Sequence, residues 1–173
     1  MIAAISKEIT DLVNAGCFKA VSIPTNRSAI PSRLVLKVKY RADGKYDKHK
    51  ARLVAKGFAA KLGTDFWSTF SPMASLTTAR SLLAIAVHYG LPIWHSDIPP
   101  AFIKSVIDAD TWISFPAGVS LTDAHGKVHP VVKLCRSLYG LKQAPQLFNK
   151  ELVRFLTSHG FTQTIADTCL FTK

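Results

Sequence analysis

Ser137-Leu138-Tyr139-Gly140-Leu141-Lys142-Gln143-Ala144-Pro145 is the stretch on which the reading of this chain turns. An aromatic, a cation and an amide are enclosed by residues that break regular structure. That composition predicts a tight turn that lays polar groups against a ligand and then opens a helix at Pro145. Downstream, Leu147, Phe148, Leu152, Phe155 and Leu156 form the apolar stripe of that helix, and Gly160 closes it. Cys169-Leu170-Phe171 reads as a final strand. Upstream, Val131 to Leu134 and Thr111 to Phe115 read as strands separated by a loop rich in Gly and His.

Further upstream the periods alternate between helix and strand. Ile2, Ile5, Ile9, Leu12 and Val13 keep a helical spacing, and Gly16 stops it. Leu34, Leu36, Val38 and Tyr40 alternate with Arg33, Val35, Lys37 and Lys39, which predicts a strand. Asp43-Gly44 is a turn signal, and a second strand over Lys50 to Lys56 completes a hairpin. Lys50, Arg52, Val54 and Lys56 share one of its faces. Ser75 or Thr77 caps a helix that runs to Tyr89, with Gly90 and Pro92 ending it. Ile93 to Ile98 is expected to be a short strand, broken by Pro99-Pro100, after which Pro100 opens a short helix. Helices and strands mix without βαβ regularity, so the class is α+β, with mixed helices and antiparallel strands.

The 173 residues suffice for one domain with a core. The longest apolar run, Leu82 to Val87, is too short to span a membrane, and the N-terminus lacks a basic head followed by an apolar stretch. Cys17, Cys135 and Cys169 form no metal-type pair and read as small buried hydrophobes. The net charge is +11. Nine cations between Lys37 and Lys61 face only Asp43 and Asp47, so this segment supplies +7 of it. Such a patch is the footprint of a polyphosphate or nucleic-acid partner, or else a solvated strand face; an anionic membrane surface is a weaker third reading.

Asp97 is the central candidate for chemistry. At the end of the expected strand it either holds a divalent cation or caps the turn at Pro99. Phe102 and Tyr139 are either core or the walls of a ligand pocket. Lys142 and Gln143 precede a helix N-terminus, a favourable place for phosphate; alternatively Gln143 caps that helix or faces water. His125 and His129 flank Gly126, which with Pro130 argues against a helix and so against a metal pair. His95, Ser96 and Asp97 are neighbours on one expected strand, where adjacent residues point to opposite faces, so a triad built from them is geometrically poor. No Walker loop or dinucleotide fingerprint occurs.

Several blocks, in order, resemble the reverse transcriptase domain of copia-type retrotransposons. They are Leu36-Lys37-Val38-Lys39 with Asp43-Gly44-Lys45; Lys50-Ala51-Arg52-Leu53-Val54-Ala55-Lys56-Gly57-Phe58; Gly63-Thr64-Asp65-Phe66 with Thr69-Phe70-Ser71-Pro72; Asp97-Ile98 with Ala101-Phe102; Ser137 to Pro145; and Asp167 to Phe171. The resemblance covers nearly the whole chain. It implies a single incomplete domain of a right-hand polymerase, with fingers about 1–72 and 105–143 and partial palm about 73–104 and 144–173. It implies that Asp97, aided by the Ile98 carbonyl, holds Mg²⁺ (or Mn²⁺), and that Lys50, Arg52, Phe102, Tyr139 and Gly140 contact the incoming deoxynucleotide. Phe102 matches the aromatic that rejects a ribose 2′-hydroxyl. Lys142, Gln143 and Pro145 are implied to meet the template or primer strand.

The implied reaction is attack of a primer 3′-hydroxyl on an α-phosphate, with RNA as template and two metals stabilising the attacking and leaving oxygens. The implied partners are RNA template, DNA primer, dNTP and the rest of a polyprotein, in an intracellular setting: a cytoplasmic virus-like particle, and the nucleus as an alternative. The family also carries a Tyr-x-Asp-Asp pair, which these residues lack. The expectation is therefore that this polypeptide alone does not polymerise and does not hold metal stably. Alternatives are a non-catalytic nucleic-acid-binding remnant or a pseudogene product. Ser75, Ile103-Lys104-Ser105, Gln146 and Phe148 depart from the usual pattern.

Overall fold

The computed structural model describes residues 1–123 and 125–173. Its frame grows from the basic hairpin. β2 (Ile30–Tyr40) and β3 (Tyr46–Ala55) pair antiparallel around the Asp43-Gly44 turn, where Gly44 takes φ +80° and the Lys45 N–H donates to Asp43 Oδ1 at 3.1 Å. Alternation sets the faces: Ala51, Leu53 and Ala55 are buried, and Arg52 is exposed. β4 (Trp112–Ser114), β7 (Val131–Leu134) and the two-residue β1 (Phe18–Lys19) extend the sheet in the order β1-β7-β4-β2-β3.

The expectation of antiparallel strands needs one correction. β2 and β4 run parallel, with Ile30 opposite Ile113; the long excursion between them lets the chain re-enter in the same direction. Two small hairpins also escaped the sequence reading. β5 (Leu121–Thr122) pairs with β6 (Val128–His129) inside the loop before β7, and β8 (Thr162–Gln163) pairs with β9 (Phe171–Thr172). Cys169 and Leu170 thus lie in the turn before the last strand, where Asp167 Oδ1 accepts the Cys169 N–H at 2.8 Å.

Three helices complete the α+β architecture. α1 (Ile2–Asn14) lies against β3 and buries Leu12. α2 (Leu76–Tyr89) is capped by Ser75, whose Oγ accepts the Thr78 N–H at 2.9 Å, and ends at Gly90 in the left-handed region. α3 (Ala144–Ser158) carries Pro145 in its first turn and buries Ala144 and Leu147. The core is a single cluster including Cys17, Ile30, Leu53, Ile113, Val132 and Leu138. Of the three free cysteines only Cys17 is fully buried, and burial raises its thiol pKa to about 11.

The expected strand over Ile93–Ile98 does not form. The segment forms no regular element and pairs with no strand, and Trp94 is 90% exposed. Its residues have strand propensity, but a strand needs a neighbour's ladder, and no described strand lies beside this one. The short helix expected from Pro100 starts later, as a 3-10 turn over Phe102–Lys104. No described helix is long and apolar enough to cross a membrane.

Candidate nucleotide and nucleic-acid site

The signature turn is fastened before it can present anything. Leu138 and Leu141 are buried, the Ser137 N–H donates to Ser105 O at 2.8 Å, and Tyr139 O accepts the Ala55 N–H of β3 at 2.8 Å. Gly140 lies so close to β3 that a Cβ there would stand 2.1 Å from Ala55 O. It also has φ +87°, a conformation natural to glycine. Sequence put Gly140 beside a nucleotide; its geometry first answers to backbone packing.

The turn thereby places the Tyr139 ring against β3. The Arg52 guanidinium lies 4.7 Å from its centroid, and the Phe102 ring meets it edge-on at 5.2 Å. Phe102 also meets Phe148 edge-on at 6.3 Å. Phe102 therefore backs Tyr139 in an aromatic group and is half-buried. A cavity of about 380 Å³ opens here, lined by Glu8, Lys50, Arg52, Asp97, Ile98 and Tyr139 among others. A second, of about 420 Å³, shares Lys50, Arg52 and Tyr139 and adds Lys37, Lys39 and Gly140. Residues separated by more than 80 positions in sequence thus meet at one place.

Charge in this region is concentrated at some cost. Lys37 stands directly opposite Lys50 across the hairpin, and Lys39 opposite Lys48. Opposed like charges destabilise a strand pair. Burial first, then the nearby cations Arg52 and Lys39, hold the Lys50 ammonium below its usual pKa; Glu8 pulls the other way, and Lys48 adds the smallest push. An anion placed between these side chains would offset that repulsion.

Asp97 does not cap the turn after it. Its carboxylate makes no hydrogen bond among the described residues, and the 3-10 turn over 102–104 has no side-chain cap. It lines the cavity with its carboxylate uncommitted. Among the described residues no group of three or more His, Cys, Asp or Glu could hold a metal ion. The donors at the cavity are the free Asp97 carboxylate and the neighbouring Ile98 carbonyl, with Glu8 engaged by the Leu53 N–H and Asp11 by Lys7, beside the cations Lys50 and Arg52. That set fits Mg²⁺, which takes few protein carboxylates and completes its octahedron with phosphate and water.

The three residues assigned to the template or primer sit away from both cavities. Lys142 is exposed; its Nζ lies 5.0 Å from the Phe66 ring centroid and donates to Ala60 O at 3.4 Å. Pro145 is exposed in the first turn of α3. Gln143 corrects the sequence reading most clearly. It is 0% exposed, makes no helix cap, and donates from Nε2 to Asp65 O at 2.8 Å, so it faces neither water nor a strand in this conformation. The histidines flanking Gly126 are also separate: His129 Nε2 pairs with Asp123 Oδ2 at 2.9 Å, and His125 lies in the turn. The hydrogen bond from His129 holds the Asp123 carboxyl below its ordinary range.

Sequence reasoning missed Glu8. The available signal was its place one turn before Leu12, on the buried face of α1, where a charge is out of pattern. Departures from the family pattern have local work of their own. Ser75 caps α2, Ile103 enters the core, and Gln146 donates to Ser68 Oγ at 2.9 Å.

Fold and site together define an α+β protein with a charged cavity between a basic hairpin, α1 and the loop that carries Asp97. Residues 15–173 match the family model for reverse transcriptase (RNA-dependent DNA polymerase), and the chain belongs to that family. It is 34% identical over 173 residues to the retrovirus-related Pol polyprotein from transposon TNT 1-94 of Nicotiana tabacum. Over 148 residues it is 37% and 35% identical to the Pol polyproteins from transposons RE1 and RE2 of Arabidopsis thaliana. These alignments cover 100%, 86% and 86% of the chain, but only 13%, 10% and 10% of the relatives. No solved structure matches.

Proposed function

We propose that this chain supplies the nucleotide side of a copia-type reverse transcriptase active site: the fingers and the first part of the palm. The convergence of Lys50, Arg52, Tyr139 and Asp97 on one cavity carries the reading. The division into fingers (1–72 and 105–143) and palm (73–104 and 144–173) is supported by the sheet: all five of its strands come from the first set, whereas α2 and α3 come from the second.

In this reading Lys50 and Arg52 receive the triphosphate, and Tyr139, braced by Phe102, forms the wall on which Arg52 rests. Phe102 acts on sugar choice through Tyr139. Asp97 and the Ile98 carbonyl would hold Mg²⁺, which supplies charge neutralisation at the transferring phosphate. Lys142 and Pro145, exposed on another side, are the remaining candidates for the template strand. The wider basic face, with Lys37, Lys39 and Lys48, follows a nucleic-acid backbone. A cytoplasmic particle with nuclear passage is the setting that goes with this activity.

These 173 residues hold one carboxylate of the implied catalytic set, so by themselves they bind and do not polymerise. The test is template-directed deoxynucleotide incorporation by the purified chain with Mg²⁺ or Mn²⁺. No incorporation is expected. Incorporation that vanishes in Asp97→Ala overturns the inactivity, while keeping Asp97 in its role. Arg52→Ala is expected to abolish triphosphate binding; unchanged binding removes the phosphate role of the hairpin.

A further inference from the structure

β3 is the outermost strand of the sheet, so alternate N–H groups along it point away from β2. Two of them find acceptors outside any strand. The Ala55 N–H goes to Tyr139 O of the signature turn, and the Leu53 N–H goes to Glu8 Oε1 of α1 at 3.0 Å, across 45 residues of sequence. The stretch between these anchors begins beside Arg52, whose guanidinium rests on Tyr139. Glu8 therefore pins β3 one residue past Arg52, and the signature turn pins it two residues further on.

Glu8 is also a wall of the cavity it supports, together with Lys50, Arg52 and Asp97. Its environment confirms a partly desolvated place. Burial raises its pKa first of all, while the Leu53 N–H and the positive charges of Arg52 and Lys50 pull it back. A carboxylate accepting an N–H in such surroundings makes a stronger hydrogen bond than a neutral acceptor.

We propose that Glu8 is a positioning residue of the phosphate-binding pocket: by pinning the open edge of β3 at Leu53, it fixes the strand segment from which Lys50 and Arg52 reach the phosphates. This rests on the phosphate role given to the hairpin. It adds a residue of α1, outside every motif, to the working parts of the site.

The probe is inorganic tripolyphosphate, titrated calorimetrically into the 173-residue chain, with amide exchange at Leu53 followed by NMR. Glu8→Ala leaves the Leu53 N–H without its acceptor. Exchange there should accelerate roughly tenfold or more, matching a charged hydrogen bond of 1.5–3 kcal/mol, and tripolyphosphate affinity should fall several-fold. Glu8→Gln keeps an oxygen for Leu53 and removes one negative charge. It should retain the protected amide and bind tripolyphosphate at least as tightly as the parent.

A Glu8→Ala chain that binds like the parent overturns the proposal. So does a Glu8→Gln chain that keeps Leu53 protected yet binds as weakly as Glu8→Ala. If Glu8→Ala does not fold, Glu8→Gln is compared with the parent instead: a protected Leu53 amide with weaker tripolyphosphate binding than the parent overturns the proposal, and a protected amide with binding at least as tight upholds it. A parent chain that ignores tripolyphosphate, with Arg52→Ala no different, overturns the phosphate reading itself and this proposal with it.

Discussion

A methyl group at position 140 would have nowhere to go. Its Cβ would sit 2.1 Å from Ala55 O and 2.6 Å from Val54 Cγ1, on a backbone at φ +87°. Gly57 is pressed in the same way, with a Cβ there 2.1 Å from Gly140 O. The two glycines are one contact: they let the signature turn lie on the end of β3, which brings Tyr139 to Arg52. Gly140→Ala is therefore expected to cost about 3 kcal/mol, from left-handed strain and displaced backbone together. In a chain of this size that lowers the unfolding midpoint by roughly 6–12 °C. A thermal scan reads the effect, and a midpoint within a degree of the parent would show that the turn has room to move. At this scale the sequence made residue types legible but not their duties. The tight turn was visible in Gly140 and Pro145, while the use of Gln143 as a buried strut to Asp65 was not. An amide before a helix looks alike whether it caps, faces water or crosses to a loop 78 residues away.

Among elements, α2 shows how local and tertiary signals part. Its start and stop were legible because capping is local: Ser75 accepts from Thr78, and Gly90 takes the left-handed turn. Its packing was not. Leu82, Leu83, Ile85 and Val87 are exposed, and only Ala86 is buried. The segment that follows fails as a strand for the same reason, since pairing depends on a distant neighbour and not on its own residues. What ties α2 down is Asp167, which accepts the Ser75 N–H at 2.9 Å. The Thr78 hydroxyl, with the Ser75 and Cys169 N–H groups, holds the Asp167 carboxyl below its ordinary value of 3.8. The sign follows: just below that value an unfolded chain takes up a proton that the folded one refuses, so stability falls as pH falls. The tether is complete above pH 3.8 and is lost as pH drops through the lower folded value. The protection of amides in the first turn of α2, measured against their intrinsic exchange at the same pH, should therefore fall in the parent on acidification below pH 3.8. In Asp167→Ala that protection should already be low at neutral pH and change little further. Equal protection in both chains at pH 7 would mean that Ser75 alone secures the helix.

For the whole molecule, the decisive fact is where the charge of +11 lies. The sequence located it correctly, in one segment, because a hairpin keeps its charges local. It could not say which of those charges share a surface. Strand register decides that, and it puts Lys37 with Lys50, Lys39 with Lys48 and Val35 with Arg52. Lys37, Lys39, Lys48, Lys50 and Arg52, five of the cations on one face, thus lie together, and Lys50 and Arg52 also line the cavity beside Asp97. If all five meet phosphates of a single strand, the logarithm of affinity should fall against the logarithm of salt with a slope of about −3.5, since each neutralised phosphate contributes about 0.7. Lys37→Glu with Lys39→Glu removes two of these contacts and adds repulsion. The slope should then shrink by at least about 1.4, and binding at low salt should weaken. Charge reversal of two cations outside this face, Lys19 and Lys150, is the control, because net charge changes equally. If both pairs weaken binding alike, attraction is a property of the overall charge and the hairpin face has no privileged part in it. If only the hairpin pair acts, the opposed lysines that strain the free hairpin are the ones that hold the strand.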